Sequence, residues 1–236
     1  MHREPPKTRE TSVPDAQKHD SPLILLPGLG GDPRLFDGQR AEFPELVTPR
    51  WIPPRPREPL TDYAARFAQV IDPGCPCFLG GVSFGGVVAL EVASHLKTRE
   101  CYLIGSIRSP QQMPFRLKLL RPISDLIVIP KRLSPWALTC GGRWLKPTVR
   151  GALHQLKDSD EDFLRWAAGA ILRWVPSADI AHVKVVQIHG DRDRVFPIRK
   201  VSADVTIANA GHLVSLTHAN EVNRYLRERM NSAALD

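Results

Sequence analysis

Short apolar runs separated by polar, glycine- and proline-bearing stretches recur from residue 23 onward: LILL (23–26), LVTPRW (46–51), CFLG (77–80), CYLIG (101–105), VKVVQIH (183–189) and VTIA (205–208). Their length and their Val, Ile and Leu content predict buried strands. Between them the hydrophobic period changes. TDYAARFAQVI (61–71) predicts a helix with Thr61 as its N-cap, and FGGVVALEVASHL (84–96) places Val87, Leu90 and Ala93 or Ser94 on one helical face. Strands alternating with helices predict an α/β fold. The expected sheet is doubly wound and mostly parallel, with about six strands and helices on both faces.

One interval breaks the alternation. Residues 106–178 separate two predicted strands by 73 residues, where an ordinary crossover needs a dozen or so. Four prolines (Pro110, Pro114, Pro122 and Pro130) punctuate its first part, and it ends in the amphipathic run EDFLRWAAGAILRW. The pattern predicts a mostly helical insertion, a lid, over one edge of the sheet, with Leu117, Leu119, Leu120, Ile123, Leu126, Ile127 and Val128 as its apolar inner face and Arg116, Lys118, Arg121, Lys131 and Arg132 at the entrance or facing solvent. Residues 1–21 are polar, proline-bearing and aperiodic, and are expected to be a disordered tail. The organisation that results is a core from 22–105 and 179–236, interrupted by a lid at 106–178.

With 236 residues, 42% of them hydrophobic, the chain can bury one sizeable core. It holds no apolar run of about 18 residues and no apolar stretch near its N-terminus, so a cytoplasmic protein without a membrane span is expected. Cys75, Cys77, Cys101 and Cys140 lack metal-ligand spacing and read as small core residues. The net charge of +7 is concentrated: residues 107–150 hold nine Lys or Arg against the single acid Asp125. Such a block can attract an anion or simply be a solvated face. No nucleic-acid motif accompanies it, so no nucleic-acid partner is expected.

The candidate chemistry begins at GGVSFGG (80–86), where four glycines flank one serine, Ser83, between a predicted strand and a predicted helix. Small neighbours permit a sharp turn that lifts a hydroxyl into the open at the strand's carboxyl end. The same glycines also suit a plain turn or a phosphate loop. However, no phosphate-loop lysine motif occurs, and in GLGGDP (28–33) Pro33 stands where a dinucleotide fingerprint needs its third glycine. A serine needs a base, and the base needs an orienting group. His212, in AGHLVSLTH after the last predicted strand, is a better candidate base than His189 within a strand or His218 on the terminal helix. HGDRDRVFP offers two acids, Asp191 and Asp193.

The order Ser83, then Asp191 or Asp193, then His212, together with LPGLGG at 26–31, resembles the α/β-hydrolase superfamily over nearly the whole chain. The resemblance implies the following roles. Ser83 is the nucleophile and His212 the base. Asp193 is the acid, because it lies three residues after Gly190 and is followed by Val195, Phe196 and Pro197. The backbone N–H groups of Leu29 and Phe84 form an oxyanion hole, and no cofactor or metal takes part. The motifs look especially like those of thioesterases, although carboxylesterases share them. The expected activity is cleavage of a small acyl ester or thioester, neutral or anionic. The alternatives are a non-catalytic acyl-binding member of the fold and a cofactor-free perhydrolase or C–C hydrolase with the same triad. The chain departs from the full family plan in two ways. It has no room for two leading antiparallel strands, and His212 follows Asp193 by only 19 positions.

Overall fold

The computed structural model describes residues 21–31, 33–122 and 160–233. Five strands form one sheet: β1 (Leu23–Leu26), β2 (Cys77–Val82), β3 (Thr98–Ile104), β4 (Val185–Gly190) and β5 (Val205–Ile207). They lie side by side in chain order, every neighbouring pair parallel. The helices are α1 (Asp37–Arg40), α2 (Leu60–Ile71), α3 (Phe84–Ala93), α4 (Phe115–Lys118), α5 (Glu161–Arg173), α6 (Val214–Thr217) and α7 (Ala219–Ala233).

The sixth expected strand, at 46–51, is reduced to a single bridge. Val47 pairs with Ile24 in parallel, accepting from Leu25 N–H at 3.0 Å and donating to Leu23 O at 2.9 Å. Pro49, two residues on, has no N–H for the next rung, and the ladder stops. The bridge still fixes the topology. Val47 lies on one side of β1 while β2 to β5 follow on the other, so the winding reverses at β1. In sheets of this kind the crevice outside the carboxyl ends of the strands at that reversal is where ligands bind.

The two faces of the sheet carry two cores, assigned by the alternation of side chains along each strand. Ile24, Leu26, Leu79, Cys101 and Leu103 meet α2, α3 and α5, whereas Leu25, Phe78, Tyr102 and Ile104 meet the Leu35–Phe36 turn and α7. Helix α3 is buried all round, so the face that carries Val87, Leu90 and Ala93 is only one of its apolar sides. Helix α2 starts at Leu60, after Pro59, so Thr61 sits inside the first turn instead of capping it. Helix α5 is capped by Asp160, whose carboxylate accepts from Asp162 and Phe163 N–H at 2.8 and 3.0 Å. Within the interval expected to form the lid, α5 packs on the first core through Phe163, Trp166 and Leu172. Trp166 Nε1–H donates to Glu58 O at 2.8 Å, and Trp174 Nε1–H to the buried Glu91 at 2.6 Å. Cys77 and Cys101 are buried free thiols and Cys75 is partly exposed. The expected tail up to residue 20, Cys140 and the part of the expected lid from 123 to 159 lie outside the described residues. Among the described residues no helix is long and apolar enough to cross a membrane.

Candidate active site

Strand β2 ends at Val82, α3 begins at Phe84, and Ser83 makes the whole turn between them. Its backbone, at φ 53° and ψ −120°, is in a region a non-glycine residue rarely enters, at a cost on the order of 1–3 kcal/mol. The surroundings hold it there. Ser83 N–H donates to Ile104 O at 3.1 Å, and Ser106 Oγ–H donates to Ser83 O at 2.7 Å. Glycine at 81 is required by close approach, because a β-carbon there would stand 2.7 Å from Gly86 N and nearer still to Gly85. This strand, turn and helix present the Ser83 hydroxyl at the reversal crevice.

The loops after β4 and β5 bring two groups to that hydroxyl. His212 Nε2 lies 2.9 Å from Ser83 Oγ, and His212 Nδ1 lies 2.8 Å from Asp193 Oδ2. Nδ1 faces a carboxylate and therefore carries the proton, leaving the Nε2 lone pair aimed at the hydroxyl. The Asp193 side chain is fully buried, and its other oxygen, Oδ1, accepts from Val195 and Phe196 N–H at 2.7 and 2.9 Å. The Phe196 ring meets the His212 ring edge-on at 5.5 Å. Burial by itself would raise the Asp193 carboxyl. Hydrogen bonds from His189, His212 and Phe196 N–H outweigh it and hold the group well below the usual carboxylate range.

Asp191 is exposed and outside this set. His218 precedes α7, beside Thr217 Oγ1 at 2.9 Å. His189, the weaker candidate on sequence grounds, is fully buried with Nε2 3.2 Å from Asp193 Oδ2. Its spacing of four residues from Asp193, across the strand end, was the available signal. Ser106 carried no motif at all. As for the two candidate oxyanion donors, Phe84 is the first residue of α3, and an N–H at that position has no partner within its helix. Leu29 follows Gly28, which lies against the turn: a β-carbon on Gly28 would be 3.6 Å from Ser83 Cβ.

A family model described as the alpha/beta hydrolase family matches residues 23–225. The chain belongs to the alpha/beta hydrolase family. Its structure is similar to that of a thermophilic esterase from Thermogutta terrifontis (17% identity, 92% of this chain and 91% of that one, TM-score 0.71). It is also similar to a carboxylesterase from Nitrososphaera gargenis (17%, 94% and 93%, TM-score 0.65) and to an epoxide hydrolase from Bacillus megaterium (13%, 89% and 93%, TM-score 0.66). At these identities the likeness is one of fold. No curated protein matches the sequence.

In this hydrolase the first turn of the expected lid lies beside the acid loop. The Arg116 guanidinium on α4 donates to Arg194 O and reaches Val195 O at 3.5 Å. Leu117 turns into the first core, as expected of an inner face. Leu119 and Leu120, expected there too, are instead 61% and 37% exposed, and Phe115 is 71% exposed. Leu119 and Leu120 lie just past α4, which ends at Lys118, where the chain turns toward solvent. Ile123, Leu126, Ile127 and Val128, the rest of the expected inner face, lie outside the described residues. An open depression of about 310 Å³ runs along the acid loop, with Arg192, Arg194 and Arg199 in its lining. Ser83 is not part of that lining.

Proposed function

We propose that this family member is a serine hydrolase that cleaves a carboxylic ester or thioester through an acyl-enzyme on Ser83. The observation that carries the reading is the continuous chain from Ser83 Oγ to His212 Nε2 at 2.9 Å and from His212 Nδ1 to Asp193 Oδ2 at 2.8 Å, at a strained strand-to-helix turn. His212 takes the hydroxyl proton as Ser83 Oγ attacks the carbonyl carbon. Ionised Asp193 holds the imidazole tautomer and stabilises the imidazolium that forms. Charge that develops on the substrate oxygen is met by the N–H groups of Phe84 and Leu29, each worth about 3–4 kcal/mol in sites of this type. His212 then gives its proton to the departing alcohol or thiol. In the second half a water, deprotonated by His212, attacks the acyl carbon and frees Ser83.

The substrate in this reading joins an apolar acyl chain to an anionic group, as a carrier-bound or CoA thioester does. Exposed Arg116 beside the acid loop, and Arg192, Arg194 and Arg199 along that loop, support it. A chain-length panel of p-nitrophenyl esters run beside acyl-CoA thioesters tests both parts. The Debye length falls from about 30 Å at 0.01 M salt to about 10 Å at 0.1 M. Over that range kcat/KM for the thioesters is expected to fall and for small neutral esters to stay nearly constant, with the difference flattened by changing Arg116, Lys118 and Arg121 to Gln. Equal salt dependence for the two substrate classes contradicts the anionic group. Absence of turnover across the whole panel contradicts the esterase reading.

A further inference from the structure

The Asp193 carboxylate has four nitrogens close around it, and one of them belongs to a second histidine. Oδ1 takes the backbone N–H groups of Val195 and Phe196, Oδ2 takes His212 Nδ1–H at 2.8 Å, and His189 Nε2 stands 3.2 Å from Oδ2. His189 Nε2 also lies 2.7 Å from Phe196 O. Both neighbours of this nitrogen are acceptors, so the proton sits on Nε2, donated to Phe196 O with Asp193 Oδ2 beside it. The opposite tautomer would set a lone pair against two others. His189 Nδ1 is then a bare acceptor, buried and without a partner among the described residues. Buried polar atoms are nearly always paired, and an unpaired one works against stability. An aliphatic residue at the end of β4 would avoid the penalty, as Val186 and Ile188 of the same strand do. What the imidazole supplies in exchange is its other nitrogen.

We propose that His189 is a positioning residue for the Asp193–His212 pair: its Nε2–H fixes Oδ2 and ties the Phe196 carbonyl to β4, so that the His212 ring keeps its aim at Ser83. Two contacts carry the effect. Fixing Oδ2 leaves that oxygen one direction in which to receive His212 Nδ1–H. Holding Phe196 in place holds the ring that rests edge-on against His212. A carboxylate oxygen already accepting one hydrogen bond is also less basic, which keeps the proton on His212 Nδ1 while the imidazolium is present. The proposal rests on the serine-hydrolase reading of Ser83, His212 and Asp193.

The test combines one measurement on the unaltered protein with two variants. Nitrogen-15 NMR of histidine-labelled wild type is expected to show His189 protonated at Nε2 with an unprotonated Nδ1. His189→Leu removes the donor at similar volume. It is expected to slow fluorophosphonate inactivation and lower kcat for a p-nitrophenyl ester by about tenfold, the order one buried hydrogen bond to an ion supplies, with KM nearly unchanged. The downfield His212 Nδ1–H proton resonance should shift. His189→Gln, whose side-chain nitrogen can reach the same position, should recover most of both effects. A His189 proton found on Nδ1 in wild type overturns the proposal, as do wild-type rates in His189→Leu or equal losses in the Leu and Gln variants. Should the Leu variant fail to fold, the wild-type tautomer and the Gln variant decide. Failure of wild type itself to react with the fluorophosphonate strikes at the serine-hydrolase reading; reaction at one common rate in wild type and both variants strikes only at His189.

Discussion

The carbonyl oxygen of Pro27 occupies the space that a side chain at Gly85 would need: a β-carbon there would be 2.8 Å from the Leu26 carbonyl carbon and closer still to the oxygens of Leu26 and Pro27. The second turn residue after Ser83 thus sets how near the loop carrying Leu29 can come to the nucleophile's helix. Gly85→Ala must push that loop away. We expect a loss of about 1–3 kcal/mol, the usual range for forced overpacking, and a fall in kcat as the Leu29 and Phe84 N–H groups separate. Gly211→Ala, where an added carbon meets nothing within 4 Å, should leave stability nearly unchanged. Urea unfolding of the two variants beside wild type checks the contrast.

The two acids of the β4 loop are expected to differ sharply. Asp193 receives His212 and two backbone amides, whereas Asp191 is exposed. Asp193→Asn is expected to lower kcat on the order of 10⁴-fold by favouring the wrong imidazole tautomer, and Asp191→Asn to have little effect. Steady-state kinetics on one ester rank them. A larger loss at Asp191 contradicts the assignment.

Acid stability follows from the same carboxylate. Because the folded state holds Asp193 well below the usual carboxylate range, its ionised form stabilises the fold fully above the unfolded value near pH 4. That contribution is lost as pH falls toward the depressed folded value. Asp193→Asn lacks it, so the stability gap between wild type and this variant should narrow from pH 7 to about pH 3. Denaturant titrations at both pH values give the gap directly, and a pH-independent gap contradicts the depressed ionisation.

The sheet was legible because buried parallel strands are apolar runs: LILL became β1 (Leu23–Leu26) and CFLG became the start of β2. The sixth expected strand shortens to one bridge because Leu46, Val47 and Trp51 have the apolar character of a strand, while the proline at 49 stops the pairing after Val47. The association of Ser83 and His212 with an acid of the HGDRDRVFP loop was legible too, since these are local patterns, the resemblance to the alpha/beta hydrolases singled out Asp193 from Asp191, and the fold brings Ser83, His212 and Asp193 within hydrogen-bond reach. The support behind them left little or no pattern in the sequence. Ser106, on the carbonyl of Ser83, and His189, on Asp193, act through contacts made only when β3 and β4 lie beside their neighbours. The exposure of Leu119 and Leu120 was hidden for a related reason, since composition does not tell where the helix ends and the chain turns toward solvent.

Activated chemistry at Ser83 is the claim on which the rest depends, and intact-mass spectrometry after incubation with a fluorophosphonate measures it most directly. The serine, hydrogen-bonded through Oγ to His212 Nε2 at 2.9 Å, is expected to take up one adduct in wild type, located on the peptide that contains Ser83. Ser83→Ala should take up none. His212→Ala should label far more slowly, and the double variant should behave like Ser83→Ala, because nucleophile and base act as a unit. An unlabelled wild type, or an adduct that persists in folded Ser83→Ala, would contradict the serine-hydrolase account.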